Sequence, residues 1–286
     1  MVHTRCHLTV VLIVFLAVLL SDDALAVNKQ TQQPLVKRKI PQKADPAQSK
    51  PPNTSSIFAQ GEMLRFSATF NQLEAGGGEI RLRKERQADG HDTFRFTGRA
   101  QTSEWVDLLY KRRDNADATF GMSDYSPRSF LLLSREGDRD REYGVRYDPQ
   151  TKMLIGSVKR KNRIREYSLP AGNIYDPVSA LYLLRSRNLV PGVPIETQVF
   201  TGRSHYRFVA QVLEKEIIEV AGKKQSALRL HPQVYSLEKD THENILPKET
   251  TLWVSADPAH IPLKFESETI WGWIVVELDK KSVRTE

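Results

Sequence analysis

The sequence predicts a mainly β protein whose strands form a curved antiparallel sheet, an open or spiral barrel, with one buried helix near 177–188. Apolar and polar residues alternate in many short segments, which is typical of strands with one buried face. These segments follow one another with short gaps and few helices between them, which favours an antiparallel meander over a parallel βαβ sheet. The segment near 177–188 is apolar nearly all round, and such helices are usually buried.

Residues 1–26 have the composition of a secretory signal peptide. An apolar run at 8–20 follows Arg5, and it is shorter than the about 20 residues that a transmembrane helix needs. The small residues of Ala24-Leu25-Ala26 form a pattern that signal peptidase accepts. We therefore predict cleavage after Ala26 and a periplasmic location, with no integral membrane segment after cleavage; an uncleaved membrane anchor is the alternative. Cleavage also removes Cys6, the only cysteine, so the mature chain has no thiol chemistry.

Residues 27–57 differ in composition from everything that follows. They are rich in proline and lysine, contain no aromatic residue and show no apolar period, which predicts a disordered linker before a single β-rich domain at 58–286. Removal of the signal peptide raises the net charge from +7 to +8, because one arginine and two aspartates leave with it. This charge favours anionic partners such as lipid headgroups, glycolipids or acidic envelope polymers. A solvated basic surface without a partner is the alternative, and nucleic acid is not expected.

The strands are predicted in order from the alternating pattern. In residues 61–70, Leu64, Phe66, Ala68 and Phe70 share one face. Segments at 79–84 and 93–99 repeat the pattern, and Gly76-Gly77-Gly78 is predicted to be the turn before them. Further strands are predicted near 128–135, 139–147, 151–159, 163–169, 195–201, 204–213, 215–221, 225–235, 249–255, 262–270 and 273–279.

Two segments interrupt this pattern. Residues 102–111 are consistent with either a short helix or a bent strand. The segment 177–188 is the clearer helix, because Asp176 is a good N-cap residue and Pro177 fits the first helical position. Pro191-Gly192 marks its end. We expect this helix to lie in the hollow of the curved sheet.

Three segments, 61–70, 175–192 and 252–278, resemble an exported bacterial family known only as a domain of unknown function. The resemblance covers roughly residues 58–279. Its landmarks are Gly61, Glu62, Asp176, Pro177, Gly192, Trp253, Asp257, Pro262 and Gly272. The resemblance implies a periplasmic β-rich fold, similar in outline to the open half-barrels that carry lipoproteins. It implies no established activity and no catalytic residues.

A search for catalytic or metal-binding patterns predicts none. The histidines that follow the signal peptide are never three to five residues apart, and HExxH is absent. Ser236 and Lys239 match SxxK, but this match falls at a strand end. Asp138, Asp140 and Glu142 alternate with arginines, which is typical of a solvated hairpin. We predict no metal site, no cofactor and no catalytic residue.

The segment 270–276 is apolar on both faces of a predicted strand. Trp271, Trp273 and Val275 share one face, and Ile270, Ile274 and Val276 share the other. A strand of this kind is usually covered on both sides. Core packing is one interpretation. The other is a ligand-lined concavity to which Trp105, Tyr182, Trp271 and Trp273 contribute.

Together these features predict a non-catalytic periplasmic envelope protein that binds an amphiphile, such as a lipid or glycolipid, or an envelope partner in its curved sheet. An envelope scaffold that contacts peptidoglycan or a protein assembly is the alternative. A hydrolase of glycan or lipid is the second alternative, since two carboxylates facing each other across a cleft suffice for glycoside hydrolysis.

Overall fold

The computed structural model describes residues 57–58, 61–87, 90–238, 243–269 and 271–280. The predicted signal peptide, and the predicted linker apart from Ile57, lie outside these residues. Ile57 packs partly against the core, and Phe58 is fully buried in it. Within the described ranges, no helix has both the length and the apolar character needed to cross a membrane.

The described residues form one sheet of 15 strands and two helices. The strands of the first half are β1 (Glu62–Phe70), β2 (Leu73–Arg86), β3 (Asp92–Thr102), β4 (Arg112–Gly121), β5 (Pro127–Glu136), β6 (Arg139–Asp148), β7 (Met153–Arg160) and β8 (Arg163–Pro170). The strands of the second half are β9 (Ile174–Tyr175), β10 (Pro194–Phe200), β11 (His205–Val220), β12 (Lys223–Ser236), β13 (Thr250–Ser255), β14 (Pro262–Thr269) and β15 (Gly272–Leu278). The helices are α1 (Glu104–Asp107) and α2 (Pro177–Arg185).

The strand order is β8-β7-β6-β5-β4-β3-β2-β1-β15-β14-β13-β12-β11-β10-β9. Neighbouring strands are antiparallel except for the short parallel pair β9 and β10. The first and last strands of the domain meet in the middle of the sheet, where Phe66 is opposite Leu278 and Phe70 is opposite Ile274. The edge strands β8 and β9 are not paired with each other, so the sheet curves without closing. The predicted mainly β, open or spiral architecture is confirmed.

The alternating pattern of β1 produces the expected burial, with Leu64, Phe66 and Ala68 all buried. The glycine triplet was predicted wrongly as a turn, because Gly76 lies within β2 and the hairpin turn is at Asn71-Gln72. Gly76 has a φ of +151°, and a Cβ at this position would lie 2.2 Å from the Gln101 carbonyl oxygen of β3. The glycine is therefore required by the close approach of a neighbouring strand.

One other predicted boundary also differs, and one open alternative is decided. The segments 204–213 and 215–221 were predicted as separate strands, but they form the single strand β11, and the register shift between Val212 and Lys215 absorbs the irregularity. The segment 102–111 contains one helical turn, α1, rather than a bent strand.

Helix α2 is buried in the hollow of the sheet, as predicted. The Asp176 carboxylate caps it by accepting hydrogen bonds from the Val178 and Ser179 amides at 2.8 and 3.1 Å. It ends at Arg185 rather than at residue 188, because the Ser186 hydroxyl donates to the Leu183 carbonyl oxygen at 2.7 Å and closes the last turn.

The helix packs against two hydrophobic clusters. Val178, Tyr182 and Leu183 belong to the cluster formed mainly by β1 to β7. Ala180 and Leu184 belong to the cluster formed by β10 to β13. Because one short helix contributes to both clusters, it joins the two halves of the curved sheet.

Candidate functional site

An apolar cleft lies between α2 and the inner, buried face of the sheet. It is formed by β1, α2, β10 to β15 and the loops that join them, and it is lined by Phe66, Leu181, Leu184, Arg185, Leu189, Ile195, Phe208, Ala210, Leu230, Pro232, Leu252, Val254, His260, Pro262, Lys264, Phe265 and Val276. The cavity volume is about 60 Å³, within about 780 Å³ of empty space that includes the open mouth. Leu181 is the one residue of α2 that is only half-buried, and it faces this space.

The lining of the cleft is almost entirely hydrocarbon. Arg185, His260 and Lys264 are its only titratable residues, and each has partners. The Lys264 ammonium group pairs with Glu266 at 2.6 Å and with Glu277 at 3.3 Å. A cavity with apolar walls offers water few hydrogen bonds and tends to stay dry. The cleft therefore suits an apolar chain better than a polar substrate.

A buried ion pair lies beside the cleft and joins α2 to β1. The Arg185 guanidinium binds both carboxylate oxygens of Glu62, at 2.6 and 2.9 Å, and the Tyr182 hydroxyl donates to the same carboxylate at 2.7 Å. The three residues are at most 5% exposed. The guanidinium also lies 4.8 Å from the centre of the Phe58 ring, in cation–π geometry.

The electrostatics of this cluster keep its ion pair intact. Burial raises the pKa of Tyr182 well above its usual value, and the charge of Glu62 adds to this. Burial alone would lower the pKa of Arg185, but the charge of Glu62 and its hydrogen bonds raise that pKa overall. Tyr182 therefore remains a neutral hydrogen-bond donor, and Arg185 remains a cation.

The loop between β13 and β14 is attached to the same helix end. The Arg185 Nε donates to the Ala259 carbonyl oxygen at 3.2 Å, and the His260 Nδ1 lies 2.7 Å from the Arg185 carbonyl oxygen. Burial is the main cause that lowers the pKa of His260, which keeps its ring neutral near neutral pH. Arg185 thus connects β1, α2 and this loop around one side of the cleft.

The four predicted ligand-binding residues do not line this cleft. Tyr182 is fully buried and packs edge-on against Phe58 at 5.3 Å. Trp105 and Trp273 are 43% and 42% exposed, and Trp271 is partly buried. The prediction that β15 is covered on both faces is therefore wrong for the face of Trp273. This residue is the second of β15, at one end of the sheet, where the described residues leave it 42% exposed.

Most landmark residues of the resemblance occupy element ends and turns. They are Gly61 before β1, Glu62 at its start, Asp176 and Pro177 at the start of α2, Gly192 before β10, Trp253 in β13, Asp257 in the turn before β14, Pro262 at the start of β14, and Gly272 at the start of β15. Asp257 is a turn residue, as predicted, and its carboxylate accepts from the Ala259 amide at 2.8 Å. Pro262 also lines the cleft.

Sequence reasoning missed the partnership of Glu62 and Arg185 and the apolar cleft. A signal for the pair was present, because Glu62 occupies an inward position of a strand that is otherwise apolar on that face, and Arg185 ends an apolar helix. Two opposite charges at predicted core positions are expected to form an ion pair, since an unpaired buried charge is costly.

The described residues contain no group of three or more histidine, cysteine, aspartate or glutamate side chains that could hold a metal ion. Asp138 and Asp140 are exposed around the turn between β5 and β6, as expected for a solvated hairpin. Lys239 and His242 lie outside the described residues.

The family model described as a protein of unknown function, DUF3108, matches residues 65–279. A comparison with curated proteins finds no match. Among solved structures, the chain is similar to a β-barrel-like protein of the domain of unknown function DUF1849 from Brucella abortus, with 9% identity, a TM-score of 0.52, and coverage of 80% of this chain and 99% of that one. This likeness concerns the fold alone. A match to the MucA/MucB complex of Pseudomonas aeruginosa covers 79% of this chain and 90% of that one at 10% identity, but its TM-score of 0.15 says nothing about this fold.

Proposed function

This chain belongs to the DUF3108 family of proteins of unknown function, and from that premise we propose that it is an exported, non-catalytic protein that binds the apolar chain of an amphiphile. The observation that carries the proposal is the cleft between α2 and the inner face of the sheet, because it is open, concave and lined almost entirely by hydrocarbon. Ligand sites are usually concave and mostly apolar, with few polar groups.

The cleft is apolar and open but narrow. Its cavity volume of about 60 Å³ is well below the about 300–1,000 Å³ of small-molecule sites. Binding of an acyl chain therefore requires α2 or its half-buried Leu181 to move and widen the cleft. The polar headgroup of such a ligand would remain outside the apolar cleft.

The buried ion pair supports a structural role rather than catalysis. Both carboxylate oxygens of Glu62 are already engaged, by Arg185 and Tyr182, inside the core. A general acid or base has to reach the proton that it transfers in a bound substrate. These groups serve to fix α2, and with it one wall of the cleft.

Native mass spectrometry of the protein recovered from its export compartment tests the proposal. We expect a bound amphiphile that organic extraction releases, and we expect the empty protein to take up a fluorescent long-chain fatty acid. Leu181→Trp fills the cleft from its half-buried wall and should abolish uptake. Leu213→Trp is the matched control, because Leu213 is 40% exposed and does not line the cleft.

Three outcomes contradict binding in the cleft. They are a protein that carries no amphiphile and takes up no fatty acid, uptake that Leu181→Trp leaves unchanged, and equal loss in the Leu213→Trp control.

The export part of the proposal rests on residues 1–26, and the intact mass of the recovered protein tests it. A mature chain that begins at Val27 supports export with cleavage, and a mass that includes residues 1–26 contradicts cleavage.

A further inference from the structure

Large apolar side chains are exposed together at one end of the curved sheet. They are Leu73 (62% exposed), Trp105 (43%), Leu108 (85%), Leu109 (87%) and Trp273 (42%), and we call them the apolar rim. Soluble proteins tolerate single exposed apolar residues, but an exposed group of them marks an interaction site. The side chains of two consecutive leucines, Leu108 and Leu109, bury little apolar surface and so add little hydrophobic stabilisation to the isolated chain.

Hydrogen bonds join the loops that carry the apolar rim. The Asn71 side chain, in the β1–β2 turn, accepts from the Trp273 amide at 2.9 Å and donates to the Trp271 carbonyl oxygen at 3.1 Å. The Trp105 indole, between β3 and β4, donates to the Glu74 carbonyl oxygen at 2.5 Å. The three loops therefore form one continuous surface rather than independent flexible tips.

The same end of the sheet carries a basic turn next to the rim. Residues 159–165, around the β7–β8 turn, contain Lys159, Arg160, Lys161, Arg163 and Arg165 and no acidic residue. Ile164 in this turn is 64% exposed. Three strand spacings separate β4, which follows the Leu108-Leu109 loop, from β7, a distance of about 14 Å along the sheet.

Several acidic residues lie near the rim, and some of them are paired. Asp107 forms an ion pair with Arg113 at 2.5 Å, so it adds little net charge. Glu74 and Glu104 are exposed beside the rim, and exposed Glu268 is opposite Trp273. Asp138 and Asp140 are exposed on the β5–β6 hairpin, between the rim and the basic turn. Lys111, which follows the two leucines, is also exposed. Lys159 pairs with Glu142 at 3.9 Å, but the basic turn still carries an excess of cations.

We propose that this end of the sheet docks on the surface of an anionic lipid bilayer. Tryptophan is enriched at the boundary between lipid and water, and leucine is stable in the acyl region beneath it. Cations beside such residues attract anionic headgroups, which adds electrostatic affinity to the burial of apolar surface. The rim residues protrude from three separate loops, which suits insertion into a deformable lipid surface. This docking does not depend on the proposed ligand in the cleft.

Vesicle flotation with the protein recovered from its export compartment tests the proposal. We expect binding to vesicles of phosphatidylethanolamine and phosphatidylglycerol, and weaker binding to vesicles of phosphatidylcholine alone. The double variant Leu108→Ser, Leu109→Ser should bind at least about tenfold more weakly, because both substitutions remove apolar surface that the leucines would bury in lipid. The control Leu213→Ser, Ile217→Ser removes two exposed apolar side chains from β11, away from the rim, and should bind like the unchanged protein.

Two further measurements locate the contact. Lys161→Gln with Arg163→Gln should weaken binding to the anionic vesicles and leave the weak binding to phosphatidylcholine unchanged. Brominated lipids should quench the tryptophan fluorescence, and Trp105→Phe should reduce that quenching. No binding to either vesicle, equal binding of the Leu108, Leu109 double variant, or equal loss in the β11 control overturns the proposal. Capture of a protein partner that depends on the rim, without vesicle binding, overturns it in favour of a protein interface.

Discussion

The ion pair of Glu62 and Arg185 is fully buried within the core. Each residue is 5% exposed or less, and the side chain of Arg185 contacts β1, the loop before β14 and the ring of Phe58. A buried pair of this kind gains little net energy over an apolar pair of the same shape, but removal of one partner leaves an uncompensated charge. Its effect is to fix the position of α2.

The double substitution in this pair should therefore lower the free energy of unfolding by less than the sum of the two single substitutions. We expect Glu62→Gln or Arg185→Met alone to lower the free energy of unfolding by about 3–5 kcal/mol, and the double variant to recover about 2 kcal/mol of the summed loss. Urea unfolding of the four proteins measures this coupling. The control cycle uses the exposed pair of Asp117 and Arg95, where coupling should stay below about 1 kcal/mol. Equal coupling in the two cycles would contradict a special role for the buried pair.

At the level of the elements, the sequence predicted the features that depend only on residues close together in the chain. The cap at Asp176 and the alternation in β1 depend on neighbours in sequence, and both are confirmed. Gly76 was misread because its preference for turns is local, whereas its place in β2 is set by the backbone of β3. The end of α2 depends on a hydroxyl of Ser186 that competes for the last carbonyl groups, and no periodic pattern shows that competition.

The cap of α2 should also make stability depend on pH. Burial raises the pKa of Asp176 to about 6, whereas an unfolded aspartate has a pKa of about 3.9. Between these values the folded chain binds the proton more tightly, so the contribution of Asp176 to stability rises as pH falls. We expect the wild type to gain about 1 kcal/mol from pH 7 to pH 5 relative to Asp176→Asn, which keeps an oxygen for the cap but does not titrate. Urea unfolding of both proteins at both pH values tests this, and a constant difference would contradict it.

At the scale of the whole molecule, the order of the strands was not predictable from the sequence. The pairing of β1 with β15 joins Phe66 to Leu278, near opposite ends of the domain, and no local pattern specifies which strands meet. The cleft depends on the same pairing, since its walls come from strands that are distant in sequence. The sequence could predict a buried helix in a curved sheet, but it could not place Leu181 opposite a free space.

The curved sheet turns in on itself, and the turn between β10 and β11 lies against the inner face of β7. A Cβ added to Gly156 of β7 would lie 2.3 Å from the Gly202 carbonyl oxygen and 2.5 Å from the Phe200 ring. Gly156→Ala should therefore force the two parts of the sheet apart, lower the free energy of unfolding by about 1–3 kcal/mol and speed hydrogen exchange at residues 199–206. Gly172→Ala is the control, because nothing lies within 4 Å of its added Cβ. If the two variants match in stability and in exchange, this contact does not hold the halves of the spiral together.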